Sequence, residues 1–325
     1  MELVIIPLGT ASAVPTRTRA LSSVALERAG RLLLFDCGEG TQYRLLAAGL
    51  KPSRLEAVLI THFHGDHFYG LFGLLATLSM IGRNQPLVVV GPKGIRQAVD
   101  QLPGLTPSER SYPIEYVELT EGFEQQVVLE TADYKVIARP LEHRTFTVGF
   151  RFEEKPRAGH LNVLRAQELG VTDYAQLRAL KEGQPVQIGD RWISPEAVLS
   201  PPIPGRTFAY VADTRPCEAG RRLAEGVDLL YHEATFSQAQ HRLAVERGHS
   251  TAREAAEVAL QAGARRLLLG HFSARYDDPA PLIEEARAIF PETEAAEELK
   301  RYAIAWIRRK TANLPWMIKS HATMP

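Results

Sequence analysis

Residues 61–67 read Thr-His-Phe-His-Gly-Asp-His, and they follow the apolar run Leu55-Glu-Ala-Val-Leu-Ile60. That run has the length and composition of a buried strand. Three histidines and an aspartate therefore stand where a buried strand ends. Imidazole nitrogens and carboxylate oxygens are donors for borderline cations such as Zn2+. His62 and His64 are two apart, a spacing that sends both side chains to one side at a strand end, where they can share one ion. Gly65 allows a tight turn. Asp66 and His67 then point elsewhere, toward a second ion. Two metals about 3.5–4 Å apart can hold a bridging hydroxide and clamp a displacement at phosphorus. The bland alternative is a histidine-rich surface loop; the strict HxHxDH order after a buried strand argues against it.

Seven residues cannot complete two sites, so further donors are expected where other strands end. His143 follows the predicted strand Tyr134–Pro140, Asp213 follows Phe208–Val211, and His271 follows Leu267–Gly270. Singly, each is more often a turn residue or a cap. Their common location gives the joint reading its force.

The whole chain bounds the setting. It has 325 residues, 45% hydrophobic and 23% charged, which is ordinary globular composition. A formal net charge of +0 excludes a generally basic, DNA-coating protein but leaves local basic patches open. The two cysteines, Cys37 and Cys217, argue against a disulfide scaffold or a cysteine-based zinc finger, and they suit a reducing cytoplasm. The N-terminus lacks signal-peptide features, and no apolar run approaches the roughly 18–20 residues that span a bilayer. A soluble, cytoplasmic protein with no membrane or DNA partner is expected.

Along the chain, Leu3–Leu8, Ser22–Glu27 and Arg31–Phe35 read as strands, and Gly38–Leu50 as a turn leading into a helix that ends at Gly49. Phe68–Ile81 is apolar enough for a core helix, Pro86–Val90 reads as a strand and Gly94–Gln101 as a short helix. Tyr112–Leu119, Gln126–Glu130, Tyr134–Pro140 and Thr145–Glu153 continue the strand pattern. From about Glu154 to Gly205 the composition shifts, with helical patches at Val163–Leu169 and Asp173–Glu182 among Gly and Pro, as in an insertion outside the main core. Thr207–Ala212, Val227–Tyr231 and Arg266–Leu269 then read as strands, and Ala252–Ala262 and Pro281–Phe290 as helices. The two halves share a rhythm that predicts a layered α/β domain. The tail beyond Arg301, with Trp306 and Trp316, reads as a docking helix or a loose extension.

The HxHGDH stretch resembles the signature of the metallo-β-lactamase superfamily, with the later His143, Asp213 and His271 completing its pattern. The resemblance implies a four-layer αββα metallo-β-lactamase sandwich, which agrees with the two-halves reading. Leu34–Gln42, "LFDCGEGTQ", resembles its first motif, in which Asp36 supports the metal site rather than binding directly. That superfamily hydrolyses several substrate classes, so the fold leaves the substrate open. Other stretches narrow it. "LGTASAVPTRTRALSS" (Leu8–Ser23), "VADTR" (Val211–Arg215), "HEATF" (His232–Phe236), "GHSTA" (Gly248–Ala252) and "GHFSARY" (Gly270–Tyr276) resemble motifs of the ribonuclease Z family. The insertion, with "LKEGQPV" (Leu180–Val186), resembles that family's flexible arm, which grips the tRNA body. The chain departs from the family in the loop that often reads P-T-K-x-R-N: Arg17 stands for Lys and Ala20 for Asn.

The resemblance implies a fold domain over residues 1–300 with 154–205 as an inserted tRNA-binding arm, and a C-terminal extension, 301–325, to which no role is assigned. It implies a zinc-dependent endoribonuclease that removes the 3′ trailer of precursor tRNA and leaves a 3′-hydroxyl, through attack of a metal-bridging hydroxide. Two Zn2+ ions per subunit are expected. One would be held by His62, His64 and His143, the other by Asp66, His67 and His271, with Asp213 bridging. Asp66 would also orient the nucleophile or accept its proton. His249 would protonate the leaving oxygen, held by Glu233. Bland alternatives stand beside these roles: Glu233 as a surface carboxylate, and His249 as a helix-start residue, since Ser250 and Thr251 can cap Ala252–Ala262. Thr251, Ser273 and Arg275 are candidates for the phosphate beside the cut. Lys155, Arg157, Arg165, Arg178 and Lys181 are the arm's basic residues. A homodimer is implied by the family alone. The competing reading is a small-molecule hydrolase of the lactonase or arylsulfatase type on the same fold.

Overall fold

The structure, a computed structural model, describes residues 2–101 and 111–306. The chain divides into two compact units, one built from residues up to Glu153 together with Arg206–Ala305, the other from Glu154–Gly205 with the segment beginning at Trp306.

The larger unit contains two seven-stranded mixed sheets. The first runs in the spatial order Tyr302–Ala303, Leu3–Gly9, Ser23–Arg28, Arg31–Phe35, Leu55–Leu59, Leu87–Pro92, Ile114–Leu119, and it is parallel from Arg31–Phe35 onward. The second runs Thr293–Ala295, Leu267–Gly270, Leu229–Glu233, Thr207–Val211, Thr147–Glu154, Tyr134–Leu141, Gln126–Glu130, and its first four strands are parallel. Alternation along each strand explains the layering. Leu3, Ile5, Leu33, Phe35, Ala57 and Leu59 of the first sheet share one apolar core with Phe150, Phe152, Phe208, Tyr210 and Tyr231 of the second. The intervening residues face the other way. Val4, Ile6, Leu34, Val58 and Ile60 pack on Leu71, Leu74 and Leu78 of the helix Gly70–Met80. Ala209, Val211, Leu230 and Leu267 pack on the alanine-rich helix Ala252–Ala262. Strands covered on both faces read as unbroken apolar runs, which is why they were legible. The result is helix, sheet, sheet, helix.

Parallel strands deliver their C-terminal ends to one edge, where α/β sheets place ligands. Leu55–Leu59 leads into His62, Thr207–Val211 into Asp213, and Leu267–Gly270 into His271.

The predicted core helix Phe68–Ile81 is in fact broken. A first turn, Gly65–Phe68, is followed by the helix Gly70–Met80. The break comes from the loop beneath: Cys37 N–H donates to His67 O at 2.7 Å, and Gly70 N–H donates to Cys37 O at 2.9 Å. Helices Glu218–Ala224 and His241–Arg247 were not anticipated. Tyr302–Ala303, at the start of the expected tail, pairs with the first strand, so the sheet continues past Lys300. The tail from residue 307 on, including Trp316, lies outside the described residues. Among the described residues no helix is long and apolar enough to cross a membrane.

The smaller unit has a core of its own, formed by Ala166, Val171, Leu180, Val186, Ile193 and Val198. Asn162 and Asp173 cap its helices Val163–Glu168 and Tyr174–Lys181 through side-chain oxygens. A hairpin of Val186–Ile188 and Arg191–Ile193, not predicted, follows.

Gly70 lets the loop at Cys37–Gly38 come close: a Cβ there would lie 1.8 Å from the backbone oxygen of Gly38. Gly70→Ala is expected to destabilise the protein by about 1–3 kcal/mol through overpacking. Urea unfolding curves test this; an unchanged midpoint would show that the loop yields freely.

Candidate metal centre

The floor of the cleft is built from imidazoles held by one ring nitrogen each. His67 Nδ1 lies 2.7 Å from Asp36 Oδ2, a carboxylate that can only accept. His143 Nδ1 lies 2.6 Å from the carbonyl of Gly248. Thr61 and Thr235 extend the pattern. Thr61 Oγ1 donates to Asp36 and lies 2.9 Å from His62 Nδ1. Thr235 Oγ1 donates to Glu233 Oε2 and lies 2.8 Å from His271 Nδ1. Each hydroxyl has spent its proton on a carboxylate, so it accepts from the imidazole beside it. Four rings thus carry their proton on Nδ1 and present a bare Nε2 inward.

Those bare nitrogens meet one another and Asp213. His67 Nε2 and His271 Nε2 stand 3.1 Å apart, a distance at which two lone pairs repel unless a proton or a cation lies between them. Asp213 Oδ2 lies 3.5 Å from His62 Nε2 and 3.8 Å from His143 Nε2. Its Oδ1 lies 3.0 Å from His271 Nε2 and 3.3 Å from His67 Nε2. His143 Nε2 and Asp213 Oδ1 are buried and receive no hydrogen bond. Unsatisfied donor atoms of this kind are costly unless they hold a cation. Donor atoms fall into overlapping groups within 4.8 Å of one another: His62, His64, His143 and Asp213 in one, Asp66, His67 and His271 in another, and Asp213, His249 and His271 in a third. The donor set fits two cations, with Asp213 offering one oxygen to each of the first two groups.

Charge tells the same story. Burial and then the neighbouring His67 lower His62 to a pKa of about 4. Burial opposes ionisation of Asp213, yet His271 and His67 hold it well below the carboxylate range. Burial likewise opposes charge on His67, but Asp213, Asp36 and Asp66 outweigh it and raise this imidazole well above its ordinary value. Without cations, His67 takes a second proton on Nε2 in answer to three carboxylates, and that nitrogen is bare only where a cation would replace the proton. Asp36, Asp213 and His271 sit at positive φ, 58°, 42° and 57°. Non-glycine residues in that region are strained, and such strain gathers at functional sites.

Beside this floor stands a second pair. His249 Nδ1 lies 2.9 Å from Glu233 Oε1. Glu233 is fully buried and also accepts from the amides of Thr214, Ser250 and Thr235. It is therefore no surface carboxylate. Burial opposes charge on His249, but Glu233 lifts it to about 9. The cleft, about 600 Å³, is lined by His64, Asp66, His143, Asp213, His249 and His271, with Ser273 and Arg275 on its wall.

Two models of known families match: the anti-Pycsar protein Apyc1 over residues 3–136, and a beta-lactamase superfamily domain over residues 179–272. A ribonuclease Z from Salinibacter ruber is 52% identical over 94% of this chain and 95% of its own length. A ribonuclease Z from Methanothermobacter thermautotrophicus is 42% identical over 90% of this chain and 94% of its own length. The chain belongs to the ribonuclease Z family. The crystal structure of the short form of human tRNase Z superposes with a TM-score of 0.70 at 29% identity, covering 93% of this chain and 99% of that one. The fold is the metallo-β-lactamase fold of that family.

One nominated phosphate contact moves elsewhere. Thr251 is fully buried, and its hydroxyl serves a capping box with Glu254 at the start of Ala252–Ala262. It does not line the cleft. His232 is buried against the carbonyl of Glu233, and His241 pairs with Glu254. Sequence reasoning missed Thr61, Tyr210 and Thr235 as partners of the ligand shell. Thr235 lay inside the quoted "HEATF", but nothing in the sequence marks Tyr210, whose hydroxyl donates to Asp36 at 2.9 Å. Arg144 and Arg247 also line the cleft.

Asn tolerates the left-handed backbone at position 36, but its amide group can donate where Asp36 accepts. Asp36→Asn is therefore expected to unsettle the His67 tautomer and weaken metal binding roughly 10–100-fold. Competition with a chromophoric chelator measures this, and unchanged affinity would remove Asp36 from the account.

Proposed function

We propose that this chain is a zinc-dependent endoribonuclease that cuts the 3′ trailer from precursor tRNA and leaves a 3′-hydroxyl on the tRNA. As a member of its family it is a metal-dependent phosphodiester hydrolase. The observation that carries the finer reading is the His249–Glu233 pair set beside two groups of metal donors in one cleft. A small ester with a good leaving group does not require such an acid; an RNA 3′-oxygen does.

His62, His64 and His143 would hold one ion, Asp66, His67 and His271 the other, and Asp213 both. When bound, the metals supply an acidified water and polarise phosphoryl oxygens. The protein supplies the rest. Asp66 orients the nucleophile and accepts its proton. Ser273 and Arg275 meet the scissile phosphate; Arg275 Nη1 lies 3.3 Å from Ser273 Oγ, so the two form one polar patch. Glu233 keeps the proton on His249, whose other ring nitrogen is free to pass a proton to the departing 3′-oxygen. The nitrogen-rich donor set supports Zn2+.

The inserted unit, residues 154–205, is the proposed arm for the tRNA body. Arg165 and Arg178 are paired with Glu168 and Glu182, which leaves exposed Lys181 as a freer cation. Tyr174 and Trp192 are 80% and 66% exposed, and aromatic faces of this kind stack on bases. A cytoplasmic homodimer, with one protomer's arm serving its partner's site, follows from the family resemblance.

The direct experiment is incubation with end-labelled precursor tRNA, with and without a chelator, followed by mapping of both ends. A single cut after the acceptor stem that the chelator abolishes is expected; uncut precursor alongside rapid hydrolysis of lactones would favour the small-molecule reading.

His249→Ala is expected to keep both metals and lose about 10²–10⁴-fold in the rate on RNA. On bis(p-nitrophenyl) phosphate, whose leaving group needs no proton, the loss should be far smaller. Because the folded pKa of His249 is raised, the acid form persists below about 9 and the wild-type RNA rate should fall as pH rises through it. The variant should lack that limb. Equal losses on both substrates would place the acid elsewhere.

A further inference from the structure

The loop Thr10–Ala20 carries a strained residue that touches the metal centre. Ala13 sits at φ 62°, a region alanine seldom adopts. Its N–H donates to Asp66 Oδ2 at 2.8 Å. That same oxygen faces His67 Nε2 at 3.4 Å and His271 Nε2 at 3.5 Å. The amide thus fixes the oxygen that Asp66 offers to its donor group.

What keeps Ala13 there is a bracket of two side chains remote from the chemistry. Glu298 closes both ends of the loop: its Oε1 accepts from Thr10 N at 3.0 Å and from Ala20 N at 2.9 Å. Its Oε2 pairs with Arg44, whose Nε donates to Leu8 O at 2.8 Å. Arg19 ties the far limb of the loop to the segment that carries Ser273 and Arg275. Its guanidinium donates to the carbonyls of Tyr276 at 2.6 Å, Asp277 at 3.2 Å and Ser273 at 3.4 Å. Arg19 is 9% exposed, while Arg17 in the same Thr16-Arg-Thr-Arg19 stretch points outward. Ser12 also pairs with Ser273 in a short parallel ladder. The guanidinium spreads these contacts over Nη1 and Nη2 in a planar fork, whereas a lysine ammonium gathers its three donors on one nitrogen.

We propose that Arg19 and Glu298 are positioning residues for the reaction: together they lock the loop so that the Ala13 amide holds the Asp66 carboxylate in its metal-ready orientation. The departure from the family pattern at Ala20 leaves this contact intact, because Glu298 accepts from the Ala20 backbone and not its side chain. The proposal rests on Asp66 as a metal ligand but not on tRNA as the substrate.

The test uses the full chain and two readouts. In metal-free protein, amide exchange of Ala13 by NMR should accelerate at least about tenfold in Arg19→Met and in Glu298→Ala, while amides of the strand Leu55–Leu59 keep their protection. In metal-loaded protein, kcat on bis(p-nitrophenyl) phosphate should fall about 10–100-fold with KM little changed. Glu298→Gln, which keeps one acceptor oxygen, should recover most of both. Arg19→Lys is the milder variant should Arg19→Met fail to fold, and it should show the same direction in both readouts. Wild-type Ala13 exchange and wild-type kcat in the folded variants, with or without a lowered Tm, would overturn the proposal and leave the bracket purely structural. Failure of tRNA cleavage alone would leave both readouts intact.

Discussion

The structure depends on one constraint: four buried imidazoles have their Nδ1 protons already committed, to Asp36, Thr61, Thr235 and the carbonyl of Gly248. What remains to each is a lone pair, and the lone pairs converge on Asp213. Converging lone pairs and a buried carboxylate repel unless positive charge lies among them. Each element around the site serves to keep those rings from turning away. Asp36 accepts from Thr61 N, Thr61 Oγ1 and Tyr210 Oη as well as from His67, so four partners fix a single carboxylate.

The fold explains how donor residues so far apart in sequence can meet. Two sheets with parallel centres bring the ends of Leu55–Leu59, Thr207–Val211 and Leu267–Gly270 to a common edge. The His249–Glu233 pair arises from the same edge, because Glu233 ends the strand Leu229–Glu233 and His249 precedes the helix Ala252–Ala262. Electrostatics then sort the groups: His62 is held neutral by burial, and His249 is held charged by Glu233.

Much of this was legible because the strands around the site are buried on both faces and stand out as apolar runs. The donors then declare themselves as polar residues at the ends of those runs. The helices Glu218–Ala224 and His241–Arg247 were not legible: the second buries only Ala244, so it lacks a repeating apolar stripe. The break at Tyr69–Gly70 was hidden because a single glycine does not by itself end a helix, and what imposes the break is Cys37, a residue distant in sequence. Thr251 misled because a hydroxyl next to a histidine motif suits a phosphate and a helix cap equally well, and the helix beginning at Ala252 takes it. The bracket was not legible either: Arg19 stands in the quoted loop motif, but its partners are backbone carbonyls, and nothing in the sequence marks Glu298.

A two-cation site would draw on all seven donors, His62, His64, Asp66, His67, His143, Asp213 and His271. Elemental analysis of protein stripped by chelator, reloaded with Zn2+ and freed of excess metal tests that most directly. Two zinc ions per chain, falling to one or none in Asp213→Ala, is the expected result. One ion or none in the wild type, or two ions retained in the variant, would contradict it.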